Sequence, residues 1–254
     1  MNETFWLGVG TPGSPVPAES MPQNPGPEWR KKWSVLDIKQ ANALLDKIGL
    51  NKKDAQGFRL RTDNGQRLRI QIIAVQAFLP WPKHGEMIAD QWKKVGIKLL
   101  FKPQTRDNFR LRTFSGDSMM TAYAGITTAV PTVDTSPKEF APTMQGGLQW
   151  SRWGMFVESK GKQGEKCDLP DACQLLDLVH DWATAPEEAG RRAAWEKILE
   201  INMEEVFTIG TVNGILQPIV VSPKLHNVPK EGYYAWDPGG YIGLYKPDTF
   251  WLSQ

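Results

Sequence analysis

The chain has 254 residues, 41% of them hydrophobic and 23% charged, with a net charge of +2. That is ordinary for a soluble globular protein of one large or two modest domains, and a charge so small argues against nucleic acid or an anionic membrane as partner. No apolar run approaches the roughly 20 residues that a spanning helix needs.

The opening residues, MNETFWLGVGTPGSP, lack a basic segment followed by an apolar one. The expectation is either a cytosolic protein or a piece of a longer chain whose leader lies elsewhere, and the topology below favours the second. Residues 5–30 are rich in proline and glycine. The segment GVGTPG formally fits the dinucleotide fingerprint at Gly8, Gly10 and Gly13. That fingerprint works only if a helix starts there and turns its amide N–H groups to a pyrophosphate. Pro12, Pro15 and Pro17 forbid the helix, so the segment reads as an extended connector.

Asp37 then caps a helix in which Ile38, Ala41, Leu44, Leu45 and Ile48 recur at helical spacing, and Gly49 ends it. FRLRT and RLRIQIIAV flank Asp63-Asn64-Gly65, a hairpin signal because both turn positions tolerate positive φ. A second helix carries Met87, Ile88, Trp92 and Val95 on one face, stops at Gly96, and leads into a strand from Ile97 to Phe101. The hydrophobic period switches from 2 to 3.6 and back, which predicts a mixed α/β arrangement. A short helix over Arg106–Thr113 and a buried strand over Ser118–Tyr123 follow. Ala124–Pro142 reads as a loop just after a strand, where binding groups can converge on a cleft while the sheet stays rigid. Residues 143–170 read as glycine-rich and irregular. Helices are expected over Asp171–Ala183 and from Pro186 to about Glu204, then two strands in VFTIGTV and LQPIVVS. The aromatic tail looks like a strand or two that complete a sheet.

Cys167 and Cys173 have no clustered histidines beside them, which excludes a closed zinc site. A small-loop disulfide and two free thiols both fit. No cofactor or metal is expected. Eleven tryptophans are more than a core of this size needs, and Trp150 and Trp153 stand between glycines in GGLQWSRWGMF rather than on a helical stripe. Aromatics so placed often face a ligand. A catalytic reading finds no nucleophile elbow and no zincin motif, and Glu86 and Asp90, with Lys93 and Lys94 following, read as a solvated helix face. An enzyme is therefore not expected.

The ordered set NETFWLGVGTP, DIKQANALLDKIGL, IADQWKKVGIKL, WGMF with ESKGKQGE, ILEINMEEVFTIGTV and HNVP resembles the C-terminal half of extracellular solute-binding proteins of family 5, the dipeptide, oligopeptide and nickel group. These are receptors of ABC importers. The resemblance implies an α/β, periplasmic-binding-protein-like fold (class II, cluster C), with a mixed sheet flanked by helices and terminal segments belonging to the other lobe. It implies residues 1–34 as a connector from lobe I, 35–215 as the C-terminal ligand-binding lobe, and 216–254 as a return towards lobe I. It further implies a periplasmic or extracellular location, a membrane permease as partner, a small-molecule ligand and no nucleic acid.

Peptide receptors of the group use an aspartate in a Trp-x-x-Asp stretch to pair with the peptide's amino terminus. Here AGITTAVPTVDTSP lacks the tryptophan, and Asp134 is the nearby acid. Relatives that share the WSRWG-like region and the IGTV strand bind oligosaccharides, whose C–H faces suit flat indole rings. The ligand is therefore expected to be a peptide or an oligosaccharide, approached by Trp150, Trp153, Thr127, Thr128 and Asp134. The alternative is an interaction or dimerisation module built on the aromatic tail, from Tyr233 to Trp251, or, ranked below it, a glycoside- or peptide-processing enzyme.

Overall fold

The structure, a computed structural model, describes residues 2–13, 26, 28–77, 80–123, 137–216, 218–232 and 243–253. In chain order its elements are α1 (Asn2–Trp6), β1 (Thr11–Pro12), α2 (Glu28–Lys31), α3 (Ile38–Lys47), β2 (Arg69–Val75), α4 (Trp81–Lys93), β3 (Lys98–Gln104) and α5 (Arg106–Phe114). There follow β4 (Met120–Ala122), α6 (Pro137–Phe140), α7 (Ser151–Glu158), α8 (Pro170–Thr184), α9 (Glu188–Glu205), β5 (Val212–Asn213), β6 (Leu225–His226) and β7 (Trp251–Leu252). The chain divides into two compact units. Unit 1 comprises Val35–Tyr123 and Met144–Lys166; unit 2 comprises Asn2–Ser34, Ala124–Thr143 and Cys167–Gln254.

Unit 1 is built on a parallel sheet of order β3-β2-β4. Arg69 pairs with Lys98 at its start and Val75 with Gln104 at its end, and β4 joins at Ile72–Ala74. The antiparallel component expected from the hairpin is reduced to isolated bridges, Lys53 with Arg59 and Leu60 with Arg67. Its turn also differs. Only Gly65 takes a positive φ, +68°. Asn64 instead accepts from the Gln66 N–H through Oδ1 at 2.9 Å, and Gly65 N–H donates to Arg61 O at 3.1 Å. A longer loop results, in which Asn64 spends its side chain on the backbone rather than on a left-handed conformation.

The cap of α3 follows the sequence, Asp37 accepting from Gln40 N–H at 2.8 Å, and α5 has a cap of the same kind in Thr105, which accepts from Asn108 N–H at 3.4 Å. The apolar stripe of α3 does not close over a core. None of its residues is fully buried, and Leu44 and Ile48 remain 45% and 68% exposed. A polar clasp holds the helix instead. Arg59 is fully buried. Its Nε donates to Val95 O at 2.7 Å, Nη1 to Asp46 Oδ1 at 2.5 Å and to Leu50 O, and Nη2 to Asn42 O at 3.3 Å and Asn42 Oδ1 at 2.7 Å. All five guanidinium N–H groups are used, which is what a buried arginine requires. One side chain thereby ties α3, the turn after it and the end of α4. Nearby, Asp54 accepts from Gln56 and Phe58 N–H groups and pairs with Arg67 at 2.7 Å. Burial pushes its carboxyl up, but these donors outweigh it and hold the group below its ordinary value.

Helix α7 lies where irregular chain was expected. It forms around Gly154, whose added Cβ would lie 2.1 Å from Met144 O. The glycine that weakens the helical signal is needed for close backbone approach. Strand β4, expected to be buried, is half-buried throughout.

In unit 2, α8 and α9 pack together through Ala172, Leu175, Ala194, Ile198 and Leu199, all at most 7% exposed. Phe140 of α6 meets Trp195 edge to face at 4.9 Å. Buried Asn202 donates from Nδ2 to Phe140 O at 3.1 Å and Ile198 O at 2.9 Å. Cys167 and Cys173 form a disulfide that ties the approach to α8 to its first turn. The two strands expected in VFTIGTV and LQPIVVS shrink to one two-residue strand, β5, paired with β1. LQPIVVS forms no strand among the described residues, and Leu216 and Val220 are 83% and 99% exposed. A strand needs a neighbouring backbone, and among the described residues none pairs with it. The tail contributes β7, which pairs antiparallel with β6.

Candidate functional site

Parallel sheets bind ligands beyond the carboxyl ends of their strands, where the loops converge. In unit 1 that edge is formed by Val75, Gln104 and Ala122, with the next residues continuing it: Gln76 N–H donates to Gln104 O at 2.8 Å. Beneath it lies a dry cluster of Ile73, Val75 and Phe109, each no more than 2% exposed, against which Tyr123 and Leu148 pack. The Tyr123 and Phe109 rings stack at 5.6 Å with an interplanar angle of 21°. Leu148 therefore brings the segment 147–153 onto the sheet, although it is distant in sequence.

That segment carries both tryptophans singled out by sequence. Trp150 precedes α7; its N–H donates to Gly147 O at 3.0 Å and its carbonyl accepts from Gly154 N–H at 2.8 Å. Its side chain is packed, with only 7% of the residue exposed. Trp153, in the first turn of α7, is half-buried and keeps part of its surface open. Thr127, Thr128 and Asp134 lie outside the described residues.

Sequence reasoning passed over Gln149, between Leu148 and Trp150. Its Nε2 is buried without a hydrogen-bond partner, and so is Thr113 Oγ1 on α5. The available signal was an amide beside an indole in a glycine-flanked segment, a pairing that suits polyhydroxylated ligands. Among the described residues no group of three or more His, Cys, Asp or Glu side chains is placed to hold a metal ion.

A family model described as "Bacterial extracellular solute-binding proteins, family 5 Middle" matches residues 1–146. The chain belongs to family 5 of these proteins. Comparison with the curated proteins finds no match. Among solved structures, an oligopeptide-binding protein OppA is similar over 100% of this chain and 41% of its own, with a TM-score of 0.74 and 22% identity. NikA from Brucella suis, solved with Fe(III)-EDTA, is similar over 83% of this chain and 38% of its own (TM-score 0.62, 19% identity). MelB from Agrobacterium fabrum C58, solved with stachyose, is similar over 87% of this chain and 32% of its own (TM-score 0.63, 16% identity). At these identities the likeness is one of fold. The family 5 chain spans about two-fifths or less of the length of these relatives. Its fold is periplasmic-binding-protein-like, α/β with a parallel sheet flanked by helices, and a part of a larger fold.

Proposed function

We propose that this chain is part of the substrate-binding component of an ABC importer, which captures a peptide or an oligosaccharide between two lobes and delivers it to a membrane permease. The observation that carries this reading is the similarity over the whole chain to an oligopeptide-binding protein, together with the family match. Residues 1–34 serve as the connector from lobe I, 35–215 as the C-terminal lobe and 216–254 as the return. These boundaries follow the family's chain path rather than compactness.

The mechanism is a ligand-biased equilibrium between open and closed lobes. The ligand's contribution is its differential affinity for the closed form, so the residues that matter touch it only after closure. Trp153, half-buried, is the aromatic residue of this reading with surface left to offer, and Trp150, Thr127, Thr128 and Asp134 are the other residues we assign to ligand contact. Gln149 adds an amide donor. The protein works as a binder and not as an enzyme, outside the cytoplasm. The Cys167–Cys173 disulfide suits that oxidising location. Among the described residues, no helix is long and apolar enough to cross a membrane.

A thermal-shift panel of short peptides, manno-oligosaccharides and galacto-oligosaccharides tests the reading. A ligand at one hundred times its Kd stabilises by about 2.7 kcal/mol. Stabilisation by one class, lost in Trp153→Ala and Gln149→Leu with the parent's unliganded Tm retained, is expected. A panel that moves nothing, or that is turned over rather than bound, refutes it.

A further inference from the structure

The net charge of +2 conceals a segregation that only the division into units reveals. Unit 1 holds 20 lysines and arginines against 10 aspartates and glutamates, a net charge of +10. Unit 2 holds 10 against 18, a net charge of −8. Within unit 1 the acids are largely committed: Asp46 to Arg59, Asp54 to Arg67, Asp63 to Arg61, Glu86 to Lys83, Asp117 to Arg112 and Glu165 to Arg152. The surplus is cationic, and much of it collects at one end.

That end is the amino-terminal edge of the sheet, opposite the candidate ligand site. Arg69 opens β2 beside Lys98, which opens β3. Lys93 and Lys94 close α4, and Arg59 takes the carbonyls of Val95 and Leu50 and the side chain of Asp46, drawing the end of α4 towards Lys47 and the 50–53 turn. Leu60 N–H donates to Lys52 O at 2.8 Å, which brings Lys52 and Lys53 to the same place. Lys47, Lys52, Lys53, Arg69, Lys93 and Lys94 are all exposed, and among the described residues none has a carboxylate partner within ion-pair distance. Asp46 and Asp54 adjoin Lys47 and Lys53 in sequence but pair with Arg59 and Arg67, and Asp90 lies one turn upstream of Lys93 and Lys94 on α4. On α3, next to them, Leu44 and Ile48 stand open, with Val35 and Leu36, each 74% exposed, just before it.

We propose that this end of unit 1 docks on an anionic phospholipid surface. Five of the six cations are lysines. Lysine is a compact, mobile point charge that suits a diffuse sheet of phosphates, whereas fixed recognition of protein carboxylates favours the planar arginine fork. Clustered basic residues with neighbouring exposed aliphatics form the two-part attachment that peripheral membrane surfaces use. A small net charge does not decide against such docking, because attraction depends on local charge density within about one Debye length, roughly 10 Å.

The test is co-sedimentation of the whole chain with vesicles of phosphatidylcholine alone and of phosphatidylcholine with phosphatidylglycerol, at low and at high salt. Binding to the anionic vesicles only, suppressed by salt, is expected. Lys52→Glu/Lys93→Glu/Lys94→Glu should weaken it roughly tenfold or more, with an unchanged melting curve. Lys160→Glu/Lys162→Glu, exposed on the same unit after α7, should change it far less. Failure to bind anionic vesicles overturns the proposal, as do equal losses in the two variants, which would reduce the effect to net charge. Salt-sensitive self-association without vesicle binding would also overturn it, by pointing to the acidic unit of a second copy.

Discussion

Replacing Arg59 by methionine tests the claim that a polar clasp holds the head of unit 1. Methionine keeps most of the aliphatic stem, so little cavity opens, and the change isolates the guanidinium. Its removal strands the carbonyls of Val95 and Leu50 and both acceptors of Asn42, with Asp46 left unpaired. Each unsatisfied buried acceptor costs about 1–3 kcal/mol, and breaking a buried charged network from one side costs about 3–5 kcal/mol. Offset by relief of the buried charge, the expected loss is about 3–4 kcal/mol, a large share of the 5–15 kcal/mol typical of a domain. Asp46→Asn should cost under about 1 kcal/mol, because the Asp46 side chain is 54% exposed and water replaces its partner. Urea unfolding followed by tryptophan fluorescence measures both. Equal costs for the two variants, or a loss below about 1 kcal/mol in Arg59→Met, would refute the clasp.

Gly154→Ala should destabilise by about 1–3 kcal/mol although alanine is the better helix former, since the new Cβ would sit 2.1 Å from Met144 O; an unchanged urea midpoint would contradict that packing. Cys167→Ser/Cys173→Ser closes no loop in the unfolded chain and should lose about 2 kcal/mol, with proteolytic nicking appearing near Leu169; an unaltered digestion pattern and Tm would show the bond to be inert. Asp54 has a depressed carboxyl in the folded state, so its contribution is present above the unfolded value and lost as pH falls through the folded one. The stability difference between parent and Asp54→Asn should therefore be constant from neutral pH down to about pH 4 and shrink below it. A difference that persists or grows in acid would reverse the assignment.

Much of the local architecture was legible. Asp37, Gly49 and Gly96 mark the ends of α3 and α4 because caps and left-handed stops act through atoms one turn away. The alternation in RLRIQIIAV and the run after Gly96 likewise placed β2 and β3. Helix α7 was not legible: Gly154 is read as a breaker unless Met144 is known to press on it. Nor was the fate of LQPIVVS, whose β-forming residues have no paired strand among the described residues. Of the candidate ligand residues, Trp150 and Trp153 could be flagged by their glycine setting. Gln149 carried only the weaker signal of an amide beside an indole, because its lack of a partner is a property of its surroundings.

By itself the sequence determined the order of helices and strands, their caps, the family and an overall charge near zero. These follow from local backbone preferences and composition. Only the tertiary structure decided that Arg59 is fully buried while Leu44 and Ile48 stay open, that residues 147–153 lie on the sheet through Leu148, and that the charge divides into +10 and −8. Burial, pairing and field strength depend on which distant segments meet, and that is a property of the folded chain rather than of neighbouring letters.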